Sequence, residues 1–402
     1  MHILFLSRWF PYPPDNGARI RIFNLIKGLA ARHTLELISF CDNSVSGEHQ
    51  QAMRQWCQSV VSVPYRPFQP NSGRALLGLF SNKPRSVIDT YHAEFAVAVQ
   101  AAAARQPVDL LIASEIDMAV YGVPLRGAKK ILEELEVTKI SRPYLTEAVG
   151  LRKLRYGMTW WKLVGYIREL LNCYDGCTVV SEIEQMAVKA LHAAGAPVVI
   201  PNGVDTDYFR PTPGIVVERD ALIYNGAISY AVNFEAVAYF IREIFPLILA
   251  ERPDALFYVT GKAESSLVSK LPKHEQVVFT GYLADIRPQL LKCCVNVIPI
   301  LTGGGTRLKI LESLAAGVPV VSTAAGAEGL NLMNGKEILI ADEPRAFARA
   351  VLHLLQDAPA REALRRNGRQ FVEAHSDWRV INAQFECYIE QVMQLGHVEE
   401  KA

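Results

Sequence analysis

Short aliphatic and β-branched runs alternate with stretches of helical periodicity along the whole chain. His2–Ser7 predicts a strand, Ala18–Arg32 a helix and Leu35–Phe40 a second strand. Further strands are predicted at Asp109–Ala113, Lys129–Glu133, Cys177–Val180 and Val198–Ile200. After Pro201 the alternation restarts, with strands at Ala221–Asn225, Ala255–Thr260, Gln276–Thr280, Val295–Ile300, Val318–Ser322 and Glu337–Ala341. Strands separated by helices give βαβ units, so the pattern implies an α/β fold with two parallel sheets. "IPNGVDTDYFRPTPG" at 200–214 is rich in Pro, Gly, Asn and Asp and sets the boundary between the halves. An amphipathic helix near Trp378–Leu395 closes the chain before a polar tail.

Composition adds bounds. The chain's 402 residues are enough for two full cores, and 50% hydrophobic with 21% charged residues is a globular profile. A net charge of +1 gives no electrostatic case for a nucleic-acid partner. "MHILFLSRWFPYPP" lacks the apolar length and the cleavage site of a signal peptide. With no run of about 18 apolar residues, the expectation is a cytoplasmic protein that can still lie on the inner face of a membrane. The seven cysteines are scattered and are expected to be buried thiols in a reducing compartment, without zinc.

The densest chemistry is "LTGGGTRLKILESLAAGVPVVST" at 301–323. Gly303, Gly304 and Gly305 lie between a strand and a helix expected to begin near Thr306, where a ligand can approach the backbone closely. Arg307 and Lys309, placed in the first turn, oppose the helix dipole unless an anion lies there. Glu312 follows Thr306 by six residues, about 9 Å along a helix axis. That offset suits a nucleotide with its diphosphate at the helix start and its ribose at the carboxylate. The alternatives are a loop with solvated cations and a plain Lys309–Glu312 pair.

"GGGTRLKILESLAAGVPVVSTAAGAEGL", with "VVSEIEQMAVKAL" at 179–191 and "VIPNGVDTDYF" at 199–209, resembles the family 4 glycosyltransferases. Within that family the wording is similar to sugar transferases of bacterial exopolysaccharide clusters. The resemblance implies a GT-B fold, two Rossmann-like lobes facing across a cleft. An acceptor-side lobe would span 1–200 together with a crossover helix at 378–395, and a donor lobe 201–377. It implies retaining, metal-independent transfer from a nucleotide sugar, UDP- or GDP-linked, to a glycan or polyprenyl-linked acceptor in cell-surface polysaccharide synthesis. No cofactor is implied. A nucleotide-sugar epimerase and a catalytically inactive nucleotide-binding scaffold are the other readings.

Carried over by position, Glu312 matches the family's ribose-binding glutamate. Its partner would fall at Gly304, where the carboxylate is absent. "NGAISYAVNFEA" at 225–236 lacks the family's usual Arg and Lys, so the phosphate role passes to Arg307, Lys309 and Lys262. "FTGYLAD" resembles the turn that holds the base through Gly281, Tyr282 and Leu283, and Gly17 in "PPDNGARIR" matches a glycine loop facing phosphates and acceptor. The family's first-lobe His has no counterpart in "LLIASEIDMAVYG". Glu115 is put in its place, beside Asp117, with Glu133, Glu134 and Glu136 a weaker set; solvated loop carboxylates are the alternative. Finally, "LRKLRYGMTWWKLVGYIRELL" at 151–171 sets Trp160, Leu163, Val164, Ile167, Leu170, Leu171 and Tyr174 at helical spacing, with Arg152, Lys153, Arg155 and Lys162 near its start. Peripheral contact with an anionic membrane is one expectation, an ordinary core helix the other.

Overall fold

The structure is a computed structural model and describes residues 1–138, 141, 144–145, 147, 149–192, 196–302 and 307–394. The chain divides into two compact units, Met1–Pro201 with Ile381–Ala402, and Asn202–Val380.

In the first unit the strands are β1 (His2–Ser7), β2 (Thr34–Cys41), β3 (Ser59–Pro64), β4 (Leu110–Ser114), β5 (Lys129–Glu133), β6 (Gly176–Val179) and β7 (Val198–Val199). They form one sheet in the order β3-β2-β1-β4-β5-β6-β7, and every pairing is parallel. β1 is buried along its whole length, as a central parallel strand covered on both faces must be. Leu4 registers with Leu111, and Phe95, Val99 and Ala102 of the helix Ala93–Arg105 are buried against the same core. β3 is absent from the predicted set. Its run "SVVSVP" is an edge strand that buries only Val60 and Val63, so its hydrophobic signal is half that of a central strand.

The second unit holds β8 (Ala221–Asn225), β9 (Leu256–Thr260), β10 (Val277–Gly281), β11 (Val295–Ile298), β12 (Val320–Ser322) and β13 (Leu339–Ile340). Their order is β10-β9-β8-β11-β12-β13, again all parallel. Phe240, Phe257, Ile310, Leu314 and Phe347 lie in one core around this sheet. Both sheets reverse strand order once, between β1 and β4 and between β8 and β11, which is where open α/β sheets form ligand crevices.

The helix Trp378–Gln394 returns to the first unit, where Asn382 Nδ2 donates to the Asn24 carbonyl at 3.2 Å and Tyr388 Oη accepts from the Cys177 N–H at 2.8 Å. All seven cysteines are free thiols, but Cys387 is exposed and Cys41 and Cys173 only partly covered, so the expectation of uniformly buried thiols fails. In the helix Leu151–Leu171 the predicted stripe is a core stripe: Leu163, Ile167, Leu170 and Leu171 are buried, as is Tyr174 beyond it.

Candidate active site

Three glycines end adjacent strands of the second sheet. The Gly226 N–H donates to the Thr260 carbonyl at 3.0 Å, and the Gly261 N–H to the Gly281 carbonyl at 2.9 Å. Gly261 has φ +118°, and a Cβ there would lie 2.7 Å from the Ala227 nitrogen and from the Gly226 carbonyl carbon. Backbone cannot yield as a side-chain tip can. Gly261→Ala is therefore expected to lower stability by about 2 kcal/mol or more, read from urea unfolding; a change below about 0.5 kcal/mol would show that these strand ends are not rigid.

The helix Leu308–Ala316 starts two residues later than Thr306, so Arg307 is its cap and Lys309 alone lies within the first turn. Lys309 turns toward the end of β8. Its Nζ lies 4.0 Å over the Tyr224 ring and 3.1 Å from Asn233 Oδ1, which also accepts from Tyr224 Oη at 2.7 Å. A Cβ on Gly226 would sit 2.5 Å from that ammonium, so glycine makes room for it. One helical turn on, Glu312 Oε2 accepts from Asn225 Nδ2 at 3.2 Å. Asn225 is aimed by the fully buried Asn296, whose Nδ2 donates to Asn225 Oδ1 at 2.8 Å and to Ser313 Oγ at 2.6 Å. Ser313 in turn donates to the Lys309 carbonyl at 2.7 Å.

This lattice places a cation and a carboxylate at the β8/β11 reversal without joining them: among the described residues no ion pair within 4.0 Å links Lys309 to Glu312. Each charge is left under-solvated. Burial, reinforced by Arg307 and opposed by Glu312, pulls the Lys309 ammonium down to about 7. Burial, opposed by Lys309, pushes the Glu312 carboxyl up to about 7. An anion at Lys309 and hydroxyl donors at Glu312 would relieve both.

Other expected residues are distributed as follows. Lys262 is exposed just beyond Gly261, and Gly281 (φ +70°) ends β10 with Tyr282 exposed and Leu283 half-buried after it. Gly303, Gly304, Gly305 and Thr306 lie outside the described residues. Gly17 opens the helix Gly17–Ala30 in the first unit, capped by Asn16, whose Oδ1 accepts from the Arg19 N–H at 3.1 Å.

At the β1/β4 reversal of the first sheet Glu115 has φ +68°, and its Oε2 lies 3.8 Å from Arg8 Nη1, which pairs more closely with Asp117 at 2.8 Å. Glu133 is a structural residue. It is fully buried against Arg21, with Nη2 2.6 Å from Oε1, and accepts from Ser114 Oγ at 2.7 Å. Arg21 reaches on to the carbonyls of Ile200 and Pro201. Glu134 differs: φ is +57°, its Oε2 is buried without a hydrogen bond, and burial beside Glu133, only partly offset by Arg21, holds its carboxyl well above the usual range. Tyr224, Asn225, Asn233 and Asn296 were missed by sequence reasoning. The available signal was an amide inside an apolar strand, Asn296 in "CCVNVIPI", which needs a buried partner.

Residues 219–357 match the family model for Glycosyl transferases group 1, in line with the resemblance carried by "GGGTRLKILES". A GDP-mannose-dependent alpha-(1-6)-phosphatidylinositol monomannoside mannosyltransferase of Mycobacterium tuberculosis is 26% identical over 57% of this chain and 66% of its own length. Matches to the first curated relatives span 42% to 66% of those proteins. Among solved structures, sucrose-phosphate synthase from Thermosynechococcus elongatus superposes with a TM-score of 0.71 at 16% identity, over 98% of this chain and 100% of that one. HepE of Anabaena, solved with UDP-glucose, gives 0.66 at 17% identity, over 97% and 100%. These likenesses establish the GT-B fold class.

Proposed function

We propose that the protein is a retaining glycosyltransferase that moves a sugar from a nucleoside-diphosphate donor to a hydroxyl of a glycan or lipid-linked acceptor, without a metal ion. The observation that carries the reading is the separated Lys309–Glu312 arrangement at the β8/β11 reversal. A diphosphate would take the ammonium and the helix start, and a ribose the carboxylate one turn along. Arg307 at the cap adds a second cation, and Lys262 stands on the neighbouring strand end.

In the reaction, the bond from the anomeric carbon to the β-phosphate oxygen breaks and the acceptor oxygen bonds to the same face of that carbon. The acceptor's proton passes to the leaving phosphate, so no strong protein base is needed, and charge on the phosphate is what the site must stabilise. Glu115, held in a left-handed conformation, would orient the acceptor or steady positive charge on the sugar. The names of the relatives favour a uridine or guanosine donor: one is solved with UDP-glucose and another is GDP-mannose-dependent.

The test is turnover by the full chain with UDP-glucose and GDP-mannose, with and without oligosaccharide or polyprenyl-linked acceptors, in EDTA. Nucleoside diphosphate is expected to appear with acceptor and to survive chelation, with the anomeric configuration of the product read by NMR. Binding without turnover of any donor supports the inactive scaffold, and an altered sugar without transfer supports the epimerase. Activity lost in EDTA and restored by manganese overturns the metal-free phosphate site.

A further inference from the structure

The helix Leu151–Leu171 carries two apolar faces. Leu163, Ile167 and Leu170 enter the core of the first unit. Leu151, Leu154, Met158 and Trp161, spaced i, i+3, i+7 and i+10, are all exposed, Leu151 at 86% and Trp161 at 68%. At about 100° per residue this stripe lies on the side of the helix opposite the core stripe. It is not the stripe that periodicity picked out, and it excludes Trp160, which packs against the core.

A second apolar run lies beside it. Leu76, Leu77, Leu79 and Phe80 are exposed, Leu77 at 70% and Phe80 at 91%. The two runs are tied together: Lys162 Nζ donates to the carbonyls of Gly78 at 3.1 Å and Leu79 at 2.9 Å, and Lys83 Nζ lies 5.8 Å over the Tyr166 ring. Isolated exposed apolar side chains are ordinary, but adjacent runs of this size mark an interaction surface.

Charge identifies the partner. No Asp or Glu occurs between Glu48 and Asp89, or between Glu147 and Glu169, and each stretch carries five Lys or Arg in a chain of net charge +1. Arg152 and Arg155 are exposed on the same helix as the apolar stripe. A two-fold contact between copies would set these basic residues against themselves. Among the described residues no helix is long and apolar enough to cross a membrane, so the chemistry that fits is a surface of anionic headgroups over hydrocarbon.

We propose that the segment around Leu76–Phe80 and the outer face of Leu151–Trp161 form one surface that seats the first unit on an anionic bilayer. Leu77, Phe80, Leu154 and Trp161 enter the acyl boundary, while Arg155, exposed on the flank of the stripe, meets the lipid phosphates. Neither donor nor acceptor is needed to measure this, so its failure is distinguishable from failure of the transferase reading.

The experiment is co-sedimentation of the full chain with phosphatidylcholine vesicles, with and without phosphatidylglycerol, at low and high salt. Wild type is expected to bind only the anionic vesicles and to be released by salt. Leu77→Ser with Phe80→Ser, and separately Trp161→Ser, should each lower vesicle partitioning at least about tenfold at an unchanged Tm. The proposal is overturned if wild type fails to bind anionic vesicles, or if the variants bind as wild type does. A fall in Tm in both variants would also overturn it, since it would mean that these side chains are packed. So would a wild-type dimer that the double variant dissociates, with no vesicle binding by either.

Discussion

Replacing Lys309 by methionine is expected to weaken binding of a nucleoside-diphosphate sugar about 100-fold, while binding of the bare nucleoside changes by less than about threefold. The ammonium is positioned by the Tyr224 ring at 4.0 Å and Asn233 at 3.1 Å. With one of its three protons so engaged, it has donors left for an anion. A charge-assisted bond is worth about 1.5–3 kcal/mol, and each 1.4 kcal/mol is about tenfold in affinity. Methionine fills a similar volume over Tyr224, which keeps the variant folded. Adding Arg307→Ala should deepen the loss for the diphosphate ligand alone. The pH dependence gives a second readout. In the free protein Lys309 titrates at about 7, and a bound diphosphate raises that value, so affinity should fall as pH rises above 7. A nucleotide sugar is the right probe, because its diphosphate diester has no proton to lose in that range. The methionine variant should lack this alkaline fall. Calorimetry of both ligands across pH 6–9 decides the matter: equal losses for nucleoside and nucleotide sugar, or an unchanged alkaline limb, would remove Lys309 from the phosphate site.

How much of this was legible in the sequence differs by level. Twelve of the thirteen strands among the described residues follow from aliphatic runs between helical stretches, and the central ones read most plainly, because a strand covered on both faces must be apolar throughout. β3 escaped because this edge strand buries only Val60 and Val63 and its short apolar run is broken by Ser62. Lys309 and Glu312 were readable from spacing on one helix, a local property. Their electrostatics were not. The shifts arise from burial, and the side chains that contact the pair, Tyr224, Asn225 and Asn233, are brought in from 76 to 87 positions away in the chain by strand order. Periodicity likewise found the core stripe of Leu151–Leu171 but not the outer one, since only the fold shows that Leu76–Phe80 is docked beside it through Lys162.

Glu312→Gln should lower affinity for a nucleotide sugar by about 10- to 100-fold and at the same time make the free protein more stable above pH 7. The two effects share one cause. Burial raises the Glu312 carboxyl from 4.5 to about 7, with Lys309 only partly opposing it. A group whose folded pKa lies above its unfolded value binds more protons in the native state, so stability is full below about 4.5 and falls as pH rises through 7. Glutamine carries no charge to desolvate, so the variant should exceed wild type by about 1–3 kcal/mol at pH 8 and match it near pH 4.5. Ribose hydroxyls donating to the carboxylate would compensate for that desolvation in the complex, and this is the interaction the amide weakens. Asn225 continues to aim at either side chain, because Asn296 fixes its amide. Affinity of wild type should therefore rise as pH climbs from about 5 to about 7 and the carboxyl ionises, below the alkaline fall set by Lys309, and the glutamine variant should lack that rise. The decisive control is a 2′,3′-dideoxy donor, which has no hydroxyls to offer and should bind wild type and variant almost equally. If the variant loses the same factor against the dideoxy donor, Glu312 acts through Lys309 or the helix and does not hold the ribose.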